Sequence, residues 1–195
     1  MEMVNKKLKL ASILISVILL FALGCTFYYQ NIKKTIAYPS DIEKGVERYW
    51  NKDVTIRSEK DVTIYGRSFK LVLSTAADDS RYKYFNCFEQ KLGGLYYRCY
   101  QGAEQGGSNA LINFTVVFIS SGDSPETEKE FTAVYGYNED LKIDSYGIKV
   151  SSSKDMLTSK INDREYFIDT FPGEFANDIE CTGKDGSNMI KAFLD

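Results

Sequence analysis

The chain has 195 residues, a formal net charge of −3 and no histidine. The absence of histidine excludes Ser-His-Asp and Cys-His catalysis, zinc sites with histidine ligands and a histidine pH switch, and nothing in the sequence predicts a cofactor or a metal site. Once Lys6, Lys7, Lys9 and Glu2 are set aside, 21 basic and 26 acidic residues remain. This mild acidity argues against a nucleic-acid partner and gives no support to a polybasic contact with anionic lipid.

The first predicted element is an apolar segment from Leu10 to Tyr29. It carries no charge, and at about 1.5 Å per residue it would form about 30 Å of helix, roughly the hydrocarbon thickness of a bilayer. The lysines before it favour a cytoplasmic N-terminus. We therefore predict residues 1–9 as a cytoplasmic N-terminus, 10–29 as a transmembrane signal anchor at the cell membrane, 30–39 as a linker and 40–195 as a single extracytoplasmic domain.

Two other processing routes are alternatives for this segment. A cleaved secretory signal usually has an apolar region of about 7–15 residues, which is shorter than this one. A bacterial lipoprotein signal ends in a small residue before a lipidated cysteine, and Ala22-Leu23-Gly24-Cys25 loosely resembles that pattern. Cys25 is therefore the candidate lipidation residue. All three routes place the rest of the chain outside the cytoplasm.

A short helix is predicted directly after the linker. Ser40 and Glu43 have the spacing of a capping box, with Ser40 at the N-cap. Ile42, Val46 and Trp50 then recur every four residues, which forms one apolar stripe over about three helical turns. We expect this stripe, and Trp50 in particular, to pack against a sheet.

The pattern then changes from helical to strand-like. The tetrapeptide Asp-Val-Thr-Ile occurs at Asp53–Ile56 and again at Asp61–Ile64, and we interpret the two copies as adjacent strands joined by a polar turn around residues 58–60. The second strand is expected to run to Thr75 with a break or bulge at Gly66.

The clearest hairpin pairs Tyr82–Lys91 with Leu95–Gln101 around Gly93-Gly94. A glycine-containing loop is expected over Gln101–Asn109, and a strongly apolar, central strand over Ala110–Ser120. Later segments read as strands, except that 151–159 fits a loop or a helical turn and 165–171 fits either a helix or a strand. The remaining predicted hairpins are Glu130–Tyr137 with Leu141–Val150, and Phe175–Thr182 with Asn188–Leu194.

Together these elements predict an α+β fold. It would have an N-terminal transmembrane helix, followed by one juxtamembrane helix packed on a mostly antiparallel β-sheet built of hairpins. The 165 residues after position 30 are enough for one ordinary domain.

The cysteines in the central hairpin leave two alternatives open. With a three-residue loop at 92–94, Cys87 lies directly opposite Cys99, and we favour a disulfide between them in an oxidising compartment. With a two-residue Gly-Gly turn, Phe88 lies opposite Cys99 instead, and the thiols are offset. Cys181 is then an odd cysteine, and no histidine is present to activate it as a nucleophile.

The same hairpin carries the predicted ligand-binding residues. Aromatic side chains crowd it, and strand alternation sends them to both faces, so that one face could be core while the other is exposed. Exposed tyrosines offer rigid, amphipathic contact area for a protein or a glycan; the alternative is that all of them are packing residues. The candidate ligand-binding residues are Tyr82, Tyr84, Tyr96, Arg98 and Tyr100.

The sequence therefore predicts a membrane-anchored, extracytoplasmic binding module of the cell envelope that contacts an envelope protein or a glycan. One alternative is an envelope hydrolase that uses a pair of Asp or Glu carboxylates, which requires two of them to converge at about 5–10 Å. Another is a structural subunit of a membrane assembly. The sequence favours a binding protein over an enzyme because no complete catalytic motif is present.

Overall fold

A computed structural model describes residues 2–106, 111–119 and 129–190. The chain divides into two compact units, Met1–Ile36 and Ala37–Asp195. The boundary falls inside the predicted linker 30–39.

The first unit is dominated by one long helix, α1 (Glu2–Asn31), which is followed by a 3-10 turn at Lys33–Thr35. The stretch Ser12–Thr35 has 24 residues, and its apolar 18-residue window has a mean hydropathy of 2.1 with none of that window buried. By length and composition it can cross a membrane, and it is compatible with a single-pass anchor or with a signal sequence. Cys25 lies exposed on this helix.

In its described residues the second unit contains one α-helix, α2 (Ile42–Trp50), and a set of antiparallel strands. The described strands are β1 (Ile36–Ala37), β2 (Val54–Ile64), β3 (Arg67–Ala76), β4 (Lys83–Lys91), β5 (Tyr96–Gln105), β6 (Ile112–Ile119), β7 (Lys129–Tyr137), β8 (Ile143–Val150), β9 (Leu157–Lys160), β10 (Tyr166–Pro172) and β11 (Phe175–Gly183). They form a first sheet in the order β1-β5-β4-β3-β2, a second in the order β10-β7-β6 and a third in the order β11-β8-β9.

These elements stack in layers around three cores. α2 covers one face of the first sheet, where Val46, Tyr84 and Phe88 are buried. The opposite face of the first sheet packs on the second sheet. The other face of the second sheet packs on the third. The central strand of the second sheet, β7, is therefore buried on both faces, which explains why it is apolar without clear alternation. The α+β class and the mostly antiparallel pairing are confirmed.

The helix α2 has the predicted apolar stripe but not the predicted cap. Ile42 and Val46 are buried and Trp50 is half-buried, so the packing expectation is confirmed. The N-cap is Asp41, and it makes no side-chain capping hydrogen bond. The capping box at Ser40 is therefore wrong, because the helix begins one residue later than that box requires.

The two Asp-Val-Thr-Ile copies belong to one strand rather than two. β2 runs without interruption through both copies, with a register shift between Ile56 and Ser58. The polar residues 58–60, which suggested a turn, lie within this edge strand, where exposed and half-buried side chains alternate along the chain. The turn lies instead at Tyr65-Gly66, whose φ values of +51° and +76° match a two-residue hairpin turn.

The strands β5 and β6 correct two further expectations, and β10 decides an alternative that the sequence left open. Gln101–Gln105 extends β5 rather than starting a loop, while residues 107–110 lie outside the described chain. Among the described strands, β6 pairs only with β7, so the predicted central strand is at an edge. The ambiguous segment 165–171 is a strand, because it pairs with β7 as β10.

β7 and β8 do not form the predicted hairpin, because they belong to different sheets. The connection between them is a corner held by Asn138, which is completely buried. Its side chain accepts a hydrogen bond from the backbone N–H of Ile143 at 2.8 Å and donates one to the carbonyl oxygen of the same residue at 3.1 Å. The corner sends β8 into the third sheet.

The C-terminal hairpin is only partly described. β11 is a strand as predicted, and Thr182 forms an isolated bridge with Asn188 beyond the turn. The residues of the second predicted strand after position 190 lie outside the described part of the chain. Residues 157–159, at the end of the segment predicted as a loop or a helical turn, belong to the short strand β9.

Candidate binding surface

The predicted ligand-binding residues lie in different environments. Tyr84 faces α2 and is only 1% exposed, with its ring 5.1 Å from that of Trp50. It is therefore a core residue, and it cannot contact a ligand while α2 is in place. Burial also raises the pKa of its hydroxyl group.

The other candidates on β5 are spread along its opposite face. Tyr100 packs against the first core, with its ring 5.9 Å from that of Phe69, and the guanidinium of Arg67 lies 5.0 Å from the Tyr100 ring centre. Tyr96 is half-buried and Arg98 is exposed. These residues line the same strand face, but Tyr100 is engaged in packing.

Tyr82 precedes β4 at the other end of the hairpin and is 38% exposed. Its ring lies beside Gly106, where a Cβ atom would come within 2.9 Å of it. The structure therefore does not bring the five candidates together into one surface. Their crowding in sequence reflects packing on both faces of the first sheet.

The register of the hairpin also separates the two cysteines. Phe88 lies opposite Cys99, Lys91 lies opposite Tyr96, and a bulge follows between Cys87 and Phe88. Cys87 faces the second sheet while Cys99 faces α2, so the two thiols are on opposite faces. All four cysteines are free. The hairpin thus has the register in which Phe88 lies opposite Cys99, and not the register that would place Cys87 opposite Cys99 for a disulfide.

Burial keeps these thiols in their protonated form. It raises the pKa of Cys99 to about 11 and that of Cys181 to about 11, and it raises the pKa of Cys87 as well. Because the thiolate is the reactive form, none of the three has the environment of a catalytic nucleophile.

A polar cluster fixes α2 on the first sheet. Trp50 donates a hydrogen bond from Nε1 to Oδ1 of Asn86 at 2.8 Å. Asn86 in turn donates to Sγ of Cys99 at 3.5 Å. Gly102 allows this close approach, since a Cβ there would lie 2.7 Å from the Tyr49 ring and 3.0 Å from the Trp50 ring. The cluster positions the helix on the sheet.

Glu89 is a buried carboxylate at the turn end of the first sheet. Its side chain is 11% exposed, and Arg67 reaches both of its oxygens at 2.9 and 2.7 Å. Lys91 forms a second ion pair with it. Burial opposes the charged form of Glu89, but the hydrogen bonds from Arg67 and Lys91 outweigh burial and lower its pKa. Glu89 is therefore a structural anion.

Asp169 is the centre of a second ionic network, which connects all three sheets. Tyr146 and Ser159 donate hydrogen bonds to its Oδ2 at 2.9 and 2.8 Å. Arg164 contacts both oxygens at 3.0 and 3.1 Å, and Lys60 lies 3.7 Å away. Burial opposes ionisation, but the hydrogen bonds from Arg164 and Ser159 lower the pKa of Asp169.

A cavity lies at the C-terminal end of α2. Its volume is about 550 Å³. The lining contains three acidic residues (Glu47, Asp53 and Asp78) and two basic residues (Arg48 and Lys52). Ala77 and Asn51 complete it. Within the described ranges, no group of three or more His, Cys, Asp or Glu residues could hold a metal ion.

Two exposed apolar surfaces were not identified from the sequence. On β6, Phe114 is 40% exposed and Phe118 is 49% exposed; the continuous apolar run hid the fact that this strand is at an edge. At the β4–β5 turn, Leu92 is 76% exposed and Leu95 is 68% exposed. The second surface could have been found in the sequence, because Leu92-Gly93-Gly94-Leu95 places a leucine on each side of a predicted turn, where polar side chains are more usual.

Comparisons with protein-family models, with curated proteins and with solved structures found no match to this chain. No relative therefore supplies an activity or a set of site residues. The Glu89 and Asp169 networks are paired within the unit, and among the described residues the cavity and the exposed apolar surfaces are the candidate binding sites.

Proposed function

We propose that this protein is a single-pass, membrane-anchored binding module, whose second unit lies on the extracytoplasmic side and contacts an envelope protein. The observation that carries the proposal is an exposed apolar helix joined to a compact β-rich unit. Ser12–Thr35 matches the length and composition of a membrane span. Lys6, Lys7 and Lys9 precede it, and the positive-inside bias favours a cytoplasmic N-terminus.

The exposed aromatic pair on β6 supports a protein as the partner. Phe114 and Phe118 are four residues apart on one strand face. The ring of Phe114 also packs against that of the half-buried Phe175, with ring centres 4.1 Å apart and the planes tilted by 45°, and this contact holds the Phe114 ring in place. Preordered aromatic side chains lose little conformational freedom on binding and are enriched at protein interfaces. An edge strand also offers backbone groups to an added strand.

The experiment places a photoreactive phenylalanine analogue at position 118 of the full chain in intact cells. The matched control places the same group at Thr158, an exposed position on the edge strand β9 of the third sheet. We expect an adduct from position 118 and none from position 158, and mass spectrometry identifies it as a protein or a glycan. Equal labelling from both positions would contradict a specific surface on β6.

The anchor is tested separately in the same cells. We expect alkaline carbonate to leave the chain in the membrane fraction, and added protease to digest the second unit without cell lysis. Release by carbonate would contradict the anchor. Protection from the protease would contradict the extracytoplasmic placement.

The cavity at the end of α2 favours a second candidate function, an envelope hydrolase that uses carboxylates. Glu47, Asp53 and Asp78 line it, and paired carboxylates are the groups that glycoside hydrolysis requires. In that case Glu47→Gln or Asp78→Asn would abolish hydrolysis of a wall polymer by the full chain. The control Asp185→Asn, in the last described turn, would leave it unchanged.

A further inference from the structure

The turn end of the first sheet carries exposed apolar side chains from two neighbouring hairpins. Tyr65 lies in the β2–β3 turn and is 44% exposed, while Leu92 and Leu95 flank the β4–β5 turn. The two turns are adjacent because β3 pairs with β4, with Phe69 opposite Glu89. We call Tyr65, Leu92 and Leu95 the apolar tip.

The fold alone does not account for the residues of this tip. Leu92 has φ of +48°, a left-handed conformation that glycine adopts far more readily than leucine. Its side chain is also the most exposed large apolar group of the second unit in the described residues. A strained backbone and an exposed leucine both disfavour this residue in an isolated folded unit, and a contact with another apolar phase would account for its presence.

Basic residues surround the apolar tip, in contrast to the acidic unit as a whole. Arg67 directly follows the β2–β3 turn, and Lys91 directly precedes the β4–β5 turn. Both side chains pair with the single buried anion Glu89. Arg98 is exposed on β5, and the ammonium group of Lys129 lies 4.8 Å from the centre of the Tyr65 ring. The tip therefore combines apolar side chains, an aromatic ring and an excess of positive charge.

The opposite end of the first sheet has a different character. There the connection between β3 and β4 contains Asp78 and Asp79, and Arg81 pairs with Asp79 at 2.7 Å. The helix α2 ends beside it, and the cavity there is lined by Glu47, Asp53 and Asp78 but also by Arg48 and Lys52. Acidic side chains slightly outnumber basic ones at this end, so it lacks the excess of positive charge that attracts an apolar surface to anionic lipid.

We propose that the apolar tip inserts into the headgroup region of an anionic lipid bilayer. This inference rests on the proposed membrane anchor, because Ala37 follows Asn31 by six positions and a fully extended chain of that length reaches only about 20 Å. A spanning α1 would therefore keep the second unit close to the membrane surface. Leucine side chains at the tip would contact the acyl boundary, Tyr65 would lie at the interface as tyrosines do, and the basic residues would contact lipid phosphates.

The test uses the full chain reconstituted in vesicles of phosphatidylcholine and phosphatidylglycerol, with or without lipids brominated near the headgroup. Leu92→Trp places a fluorophore in the tip, and Leu95→Trp is a second variant that keeps the test valid if the first does not fold. Ser80→Trp is the matched control at the acidic end, where Ser80 is exposed. The native Trp50 signal of the unsubstituted chain is subtracted.

We expect brominated lipid to quench the tip tryptophan at least twofold more than the control tryptophan. Replacing phosphatidylglycerol by neutral lipid, or Arg98→Gln, should reduce that difference. Equal quenching of tip and control tryptophans, with the chain still floating with the vesicles, would overturn the tip proposal and leave the anchor standing. Loss of flotation after an alkaline wash would overturn the anchor itself, and the tip proposal with it.

Discussion

Asp169→Asn is the substitution that best tests the layered packing of the second unit. The change keeps the shape of the side chain but removes its charge, and it replaces one acceptor by an amide donor. Arg164, Tyr146 and Ser159 then face a group that accepts fewer hydrogen bonds. The substitution thus weakens the joint between the second and third sheets without opening a cavity.

The size of the effect follows from the exposure of the partners. Removing one member of a buried ion pair costs about 3–5 kcal/mol because the remaining charge loses its partner. Asp169 is 13% exposed, but the side chains of Arg164 and Lys60 are 38% and 37% exposed, so both cations can regain water. The expected loss in the free energy of unfolding is therefore about 2–3 kcal/mol.

Urea unfolding of the full chain in detergent micelles measures this loss. Trp50 is the only tryptophan, and its fluorescence reports on the contact between α2 and the first sheet. At a slope of about 2 kcal/mol per molar urea, the midpoint should fall by about 1–1.5 M. Asp163→Asn is the matched control, because Asp163 pairs with Lys184 at 2.8 Å but its side chain is 82% exposed. That variant should unfold almost like the unsubstituted chain.

The same pair of variants has a pH signature. The pKa of Asp169 is lower in the folded state than the ordinary value of about 3.9 in the unfolded chain. Its contribution to stability is therefore fully present above about pH 4 and is lost as the pH falls through the lower folded pKa. Below pH 4 the free energy of unfolding should therefore fall less steeply for Asp169→Asn than for the unsubstituted chain. Equal urea midpoints for Asp169→Asn and Asp163→Asn would refute the reasoning.

Two further predictions concern α2 and the cysteines. Gly45→Ala should destabilise the unit by about 1–2 kcal/mol despite the better helix propensity of alanine, because the new Cβ would lie 2.2 Å from that of Ala37. Urea midpoints measure this loss, and adding Ala37→Gly to the same chain should restore stability. A single variant as stable as the unsubstituted chain would contradict the contact. Alkylation without reductant should modify four cysteines in the unfolded chain but leave Cys87, Cys99 and Cys181 slow at pH 8 in the folded chain, since burial raises their pKa values. Two thiols missing from the mass spectrum of the unfolded chain would contradict the observed register.

Local patterns account for the parts of the fold that were predicted correctly. The apolar helix follows from uninterrupted hydropathy, and α2 follows from the four-residue spacing of Ile42, Val46 and Trp50. The β4–β5 hairpin follows from its glycines. The two register alternatives were both compatible with that turn, since glycine permits several loop lengths.

The incorrect strand assignments have a common physical cause. A polar stretch such as residues 58–60 looks like a turn, yet on an edge strand the same residues alternate between solvent and partners in another layer. Lys60 shows this, because it donates to the backbone of Ile168 at 3.2 Å, more than a hundred positions away in the chain. Likewise, β7 and β8 are neighbours in sequence, but Asn138 sends them into different sheets.

The sequence by itself determined the apolar helix, the antiparallel α+β class, the absence of histidine chemistry and the positions of most strands. These depend on composition and short-range periodicity. Only the tertiary structure decided which strands pair, which face each tyrosine occupies, and that Leu92, Leu95 and Tyr65 share one end of a sheet. Such properties depend on contacts between distant segments, because strand alternation gives every residue a face but does not say which layer covers it.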